Sequence, residues 1–526
     1  MKKIPEQLLV FAGAYIFFLF TLAENFSGPH DSITYLNGIV DGYPLVNQHH
    51  LLYHYAAYLW LQVWQFVFPS VKDYYIVEAF SALWGSASLA VVYSFFRNRF
   101  LLSKKESLFS TLVILFSYGF WFYSTNIEVY AAPMFFILLA LYYLTQSHLG
   151  ERHWWLVILL HCLAIVFHQV NALFTPVIVY KLWKQRKEIS FFKWFSRYAI
   201  TGILIVGGAY FVVGWIVEEQ NSLSKWIKWM QGYAGGSVFW YPLSAKTPVD
   251  IGYGFSHALL GGHYVFHIQP LQNFMNASLA SHSLADELYI ARNISTSMAW
   301  FLGLLTIVLF TAILLLLTRF IRYYKAVSER YKPIVPPLLL TFGIYSLFFV
   351  FWMPEILEFW LLQTVIMWLL LLGTLRIKEL PRYFKVSVVS GFLALTLFSI
   401  NYLGSIRWMQ HKENDLYYVK AKLVEEKVEN GKDIVLMQDG WILKDFFKYF
   451  TKVPAFPVPA RDSSRTSIDQ KVKEVIANNG RIFILPEINN KLQAPGTEYL
   501  DSLRKVHSLQ LKRIREKDPE IWVIGQ

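Results

Sequence analysis

The sequence predicts a polytopic α-helical membrane protein carrying a small α/β domain at its C-terminal end. Three observations carry that prediction. The chain is 55% hydrophobic and only 16% charged, against about 25% charged in ordinary soluble domains. Its apolar residues come in blocks of about 16 to 22, long enough for a hydrocarbon core of about 30 Å. The tail changes composition: it is charged, with short strand-like runs alternating with amphipathic helical stretches. An ordinary globular enzyme, a disordered chain and a collagen-like repeat are excluded. The single cysteine, Cys162, sits in an apolar run, so no disulfide forms within one chain.

Eleven segments read as spans: 8–23, 75–96, 108–123, 129–145, 154–167, 172–183, 198–217, 299–318, 334–351, 356–374 and 386–403. The stretch 50–68 is also apolar, but His50, Tyr53, His54, Tyr58, Gln62 and Gln65 suit a helix lying at the interface. Charge decides between the two readings. With 50–68 on the surface, alternate loops collect 22 Lys and Arg on one side and 5 on the other. Counting 50–68 as a span would put every later basic loop outside, against the positive-inside rule. The expectation is therefore a plasma (inner) membrane protein with a cytoplasmic N-terminus and an extracytoplasmic C-terminus. The net charge of +12 follows from the basic inner loops and does not point to nucleic acid. Residues 1–23 also resemble a signal peptide, and retention as the first helix is expected.

The domain plan is a transmembrane part over 1–403, with outer loops 24–74 and 218–298, and an extracytoplasmic α/β domain over 404–526. In the latter, strand-like runs occupy 433–437, 481–485 and 521–524, with helices around 416–428, 441–450 and 468–477. This domain is expected to recognise or position an acceptor and to carry no chemistry.

Candidate chemistry lies at the outer ends of the spans, where each acid is costly and needs a reason. Asp31 follows the first span and opens a short helix through Tyr35, Leu36 and Ile39. An N-cap is the plainer reading of that aspartate. Glu128, in Asn126-Ile-Glu-Val-Tyr130, stands at the second outer turn, where the helix dipole favours a carboxylate. Two acids at the water boundary also fit a transfer reaction, one accepting a proton from an attacking hydroxyl and the other orienting a polar substrate. His49, His50 and His54 stand before and within the surface helix, and His168-Gln169 forms a further outer turn. His50 and His54, at i and i+4, suit a metal only with a third ligand, and none is near in sequence. They are read instead as donors to phosphate or as interface residues. Glu355 and Glu358, about one turn apart, would face one cavity beside the aromatic Trp352 and Trp360. No P-loop, dinucleotide fingerprint or cysteine cluster is present.

Asp31 in an outer helix, His49-His50-Leu51-Leu52-Tyr53 before a juxtamembrane helix, and Glu128 at the second outer turn together resemble the GT-C superfamily of integral membrane glycosyltransferases. The similarity is to protein O-mannosyltransferases and to the bacterial transferases that modify lipid A with aminoarabinose. It covers roughly the first 215 residues. In those relatives the helix often opens with His-Pro-Pro or Lys-Pro-Pro, whereas no proline follows the histidines here. The resemblance implies a sugar donor linked to a polyprenyl phosphate and a glycan, lipid or protein acceptor, with membrane lipids around the spans. It implies inversion with Asp31 as general base and Glu128 assisting. It further implies that His49, His50 and His168 face the phosphate, with Tyr53, His54, Asn126, Tyr130, Gln169, Glu355 and Glu358 around the substrate. No cofactor is implied, although a divalent cation is compatible with a phosphate site. The alternative is a lipid or glycan transporter or flippase without transferase chemistry. Acids at the outer ends rather than at mid-membrane, and the lack of matching broken helices in two halves, argue against it.

Overall fold

The computed structural model describes residues 4–278, 285–376, 385–429, 431–437, 441–457, 462–485, 510–515 and 521–525. The inner-loop cations Lys378 and Arg382 counted above lie outside the described residues. The chain forms two compact units. One comprises Met1–Ala23, Gly38–Leu279 and Asn293–Trp408, and the other Glu24–Asn37, Ala280–Arg292 and Met409–Gln526. The second unit thus includes the stretch bearing Asp31, which the sequence grouped with the spans.

In the first unit all eleven apolar segments lie on helices. Among the described residues, four helices are long and apolar enough to cross a membrane alone: Asp73–Arg99, Phe191–Val217, Thr296–Arg322 and Val386–Met409. Two bent pairs raise the number to six, Lys104–Leu115 with Tyr118–Thr125 (72°) and Tyr324–Arg330 with Val335–Phe349 (117°). Glu6–Leu19, Ala131–Leu144 and Leu357–Gly373 are apolar but shorter, below the roughly 20 residues that cross a bilayer unaided.

The bends have local causes. Ser117 is extended between the first pair, and its hydroxyl donates to Val113 O at 3.0 Å while accepting Trp368 Nε1–H at 3.0 Å. The second break contains Pro333, with Pro336 and Pro337 opening the next helix, and proline removes a backbone donor while fixing φ.

Helix Asp73–Ser94 is largely buried and packs against Glu6–Leu19, Tyr53–Val67, Tyr118–Thr125 and Ala131–Leu144. A glycine at 85 is required there, since a Cβ would lie 2.2 Å from Ser124 Oγ. Helices Phe191–Val217 and Thr296–Arg322 instead expose Ile203, Leu204, Ile216, Leu304, Ile307 and Leu314. Apolar surface running the length of a helix is suited to lipid, and the protein is a multi-pass membrane protein.

The two ends of this unit sort chemically. At one end Glu6 meets Lys104 at 2.5 Å and Arg97 at 3.5 Å, Arg376 meets Glu106 at 3.7 Å, and Arg319 donates to Leu375 O at 3.0 Å. At the other, Ala23 N–H donates to Thr125 O, Gln169 N–H to His49 O, and the Tyr241 hydroxyl to Glu355. The basic loops therefore gather at one end and the candidate residues at the other. Helix Tyr53–Val67, 15 residues long, buries Tyr53, His54, Ala57 and Leu61 and exposes Tyr55, Leu59, Val63 and Phe66. This one-sided pattern suits a helix lying along an interface.

The second unit contains a five-stranded mixed sheet of order β2-β1-β3-β5-β4, formed by β1 (Ile434–Met437), β2 (Ala455–Pro457), β3 (Ile482–Leu485), β4 (Gln510–Arg515) and β5 (Ile521–Gly525). The first three are parallel, and β5 is antiparallel to both β3 and β4. Helix Asp462–Ala477 packs Ile468, Val472 and Val475 on Ile434, Leu436, Ile482 and Ile484. The two strands absent from the sequence reading, β2 and β4, are the edges. Edge strands tolerate proline and charge, so their apolar signal is weakest.

Candidate functional site

The site in the first unit starts from a loop and a turn held together by backbone bonds. Gln169 N–H donates to His49 O at 2.8 Å, and Leu52 N–H to Val166 O at 3.2 Å. These bonds bring residues 47–52 against the 168–171 turn. Gln169 donates Nε2–H to Met230 O (3.3 Å), leaving its Oε1 to accept Nδ1–H of His49 at 3.0 Å. Neutral His49 then keeps its lone pair on Nε2, which is buried without a hydrogen-bond partner among the described residues. Its ring lies 3.9 Å from that of Tyr233. Gly232, with φ +50°, leaves no room for a side chain beside it: a Cβ would meet His49 Nε2 at 2.4 Å.

From there a line of rings and carboxylates runs across the unit. His50 lies 5.5 Å from His54 and 5.8 Å from His168, and His168 lies 5.3 Å from Tyr130. The Tyr130 hydroxyl donates to Glu358 Oε1 at 2.6 Å, and that of Tyr123 to Glu358 Oε2 at 3.1 Å. Glu355 accepts the Tyr241 hydroxyl at 2.8 Å. His168 Nδ1 accepts Val170 N–H at 3.3 Å, so the neutral ring carries its proton on Nε2 as a donor. Asn126 donates to Phe122 O at 2.9 Å, and its buried Oδ1 has no partner among the described residues.

All four histidines are buried. Burial pulls His49 and His54 down to about 4 and His168 to about 3, and His50 well below its usual value, with the neighbouring histidines adding to the last two. They are neutral at pH 7. Tyr53 is raised by burial and then by the carboxylates of Glu128 and Glu78. Among the described residues no group of three His, Cys, Asp or Glu converges to hold a metal.

Eleven predicted residues thus share the first unit, nine around this line and Asn126 and Glu128 on the adjoining turn. Asp31 belongs to the second unit. Its main-chain carbonyl accepts Tyr35 N–H at 2.9 Å, as at a helix start, and its carboxylate accepts the Tyr35 hydroxyl at 3.0 Å. Burial raises the Asp31 carboxyl above its usual value, against the pull of Tyr35 and His30. The surrounding segment is fastened to the C-terminal part of the same unit. Asp415 Oδ2 accepts Phe26 N–H (2.7 Å) and Ser27 N–H (3.0 Å), while its Oδ1 caps helix Leu416–Glu425 through Tyr417 and Tyr418 N–H. Thr34 donates to Asp445 Oδ2 at 2.5 Å and Asn37 to Asp445 O at 3.1 Å. The tail is therefore no detachable accessory to Asp31.

Sequence reasoning missed four residues here. Glu78, fully buried, was announced only by being an acid inside an apolar run. Gln363 is likewise a polar residue inside a span. Asp415 and Asp445 gave no local sign, because their partners lie about 400 positions away in sequence.

The chain is a multi-pass membrane protein, and its fold is shared with a membrane protein of known structure. No family model matches the chain and no curated protein aligns with it. Among solved structures it is similar to ArnT from Cupriavidus metallidurans bound to undecaprenyl phosphate, at 11% identity and TM-score 0.57, covering 98% of this chain and 97% of that one. The apo form of the same ArnT gives 10% identity, TM-score 0.56 and the same coverage. The shared fold thus extends well beyond the first 215 residues.

Proposed function

We propose that the protein transfers a sugar from a polyprenyl-phosphate donor to an acceptor hydroxyl at the outer face of the plasma membrane, with inversion. The observation that carries this reading is the buried line of histidines, Tyr130 and Glu358 beside the surface helix, in a fold shared end to end with a protein solved with undecaprenyl phosphate. The acceptor oxygen attacks the anomeric carbon as that carbon's bond to the phosphate oxygen breaks. The acceptor's proton passes to the Asp31 carboxylate, and the electron pair leaves on the lipid phosphate. A carboxyl raised above its usual value is a stronger base than an exposed aspartate, which suits proton transfer. His168 Nε2–H donates to the phosphate, with His49 and His50 beside it. Glu128 orients the acceptor, which is a glycan, a lipid or a protein.

The sorting of basic loops to one end of the first unit supports eleven crossings, a cytoplasmic N-terminus and an extracytoplasmic tail. The test supplies purified protein with undecaprenyl-phosphate-linked sugars and candidate hydroxyl acceptors and follows release of undecaprenyl phosphate. Asp31→Asn is expected to cut turnover by roughly 10² to 10⁴ with folding retained. Near-native turnover in that variant would remove Asp31 from the role, and donor movement between leaflets without release of undecaprenyl phosphate would favour a flippase.

A further inference from the structure

Below the Tyr130–Glu358 pair lies a cleft between helices Ala131–Leu144, Val335–Phe349 and Leu361–Gly373, walled by Tyr130, His168, Tyr345, Phe349, Phe359 and Gln363. Most of its lining is apolar or aromatic. Of its polar lining residues, Asn171 is hydrogen-bonded to Tyr345 and to the Ala164 and His168 carbonyls, and Glu358 to Tyr130 and Tyr123, whereas Gln363 is fully buried and neither its amide nitrogen nor its amide oxygen has a hydrogen-bond partner among the described residues. A buried amide left without partners is costly, and an apolar side chain would pack there more favourably. A ligand with hydroxyl groups would satisfy both ends at once, each hydroxyl able to donate to the oxygen or accept from the nitrogen.

We propose that this cleft seats the sugar ring of the donor, with Gln363 reading its hydroxyls. The inference rests on the glycosyl-transfer reading and deepens it. Aromatic walls from Tyr345, Phe349 and Phe359 match the C–H faces of a pyranose. The Glu358 carboxylate disfavours a sugar bearing an acid group, so the substrate class is a neutral or amino sugar. A prenyl chain would fit the apolar walls but would leave Gln363 without partners.

The probes are farnesyl phosphate and farnesyl-phosphoryl glucose, mannose, glucosamine and glucuronic acid, titrated against the full-length protein in nanodiscs. Gln363→Met keeps the volume and removes both polar atoms, and Gln363→Leu is the second variant should the first not fold. Either is expected to melt at the same temperature as the wild type or higher. Either should also bind the neutral and amino-sugar conjugates about tenfold more weakly while binding sugar-free farnesyl phosphate unchanged. Equal weakening for farnesyl phosphate, unchanged binding of the conjugates, or preference for the glucuronyl probe would each overturn the proposal. Release of farnesyl phosphate to an acceptor is measured separately. Selective sugar binding without any transfer would leave the cleft assignment standing and remove the transferase reading.

Discussion

Asp415 accepts the backbone N–H of Phe26 at 2.7 Å, joining positions 389 residues apart. With Ser27, Tyr417 and Tyr418 it gathers four N–H groups on one buried carboxylate, so a single side chain both caps a helix and holds the segment leading to Asp31.

Asp415→Ala is expected to destabilise the second unit by roughly 3 kcal/mol or more, because buried N–H groups left without acceptors cost about 1–3 kcal/mol each. Hydrogen exchange over residues 24–37 should accelerate together with that over 416–425. Acceleration confined to 416–425 would show that Asp415 acts only as a cap.

Tyr35→Phe removes a hydroxyl that favours the ionised form of Asp31. The carboxyl, already raised by burial, should rise further, so the acidic limb of the pH–rate profile moves to higher pH. Glu128→Gln, which leaves the base intact, should lower turnover without moving that limb. A shift with Glu128→Gln and none with Tyr35→Phe would exchange the two roles.

The histidine cluster predicts acid sensitivity of the first unit. The unfolded histidines take up protons near pH 6.5, whereas folded His49 and His54 do so only near 4 and His168 near 3. Between those values the unfolded state binds more protons, so stability is full above about pH 6.5 and declines as pH falls through the folded values. Melting temperature measured from pH 7.5 to 4.5 should hold level down to about pH 6.5 and then fall, less steeply in His168→Gln. A pH-independent melt would contradict neutral burial of the cluster.

Sidedness is tested in a Cys162→Ser background. A cysteine at Lys473, exposed on helix Asp462–Ala477, should react with an impermeant thiol reagent in intact cells. A cysteine at Ser190 should react only after lysis. The reverse pattern would invert the topology.

Much of the architecture was legible in the sequence because its determinants are local. A run of apolar residues reports its own transfer free energy, and loop charge reports its side of the membrane without knowledge of any contact. Helix Tyr53–Val67 was legible as a helix buried on one side only, and His49, His50, His54, His168, Tyr130 and Glu358 stood out as polar groups at the ends of apolar runs. The bends at Ser117 and Pro333 were less visible, since an apolar run carries no record of its direction.

What the sequence alone determined is the membrane class, the helices, the expected sides of the loops and the residues with chemistry to offer. The tertiary structure decided which of them meet: that His50 stands between His54 and His168, that Tyr130 closes on Glu358, that Gln363 faces a cleft, and that Asp31 shares a unit with Asp415 and Asp445. Those pairings depend on the path of the chain over as many as 411 residues. Propensity and hydropathy act over a few turns, whereas a hydrogen bond between distant segments exists only once packing has brought both ends to the same place.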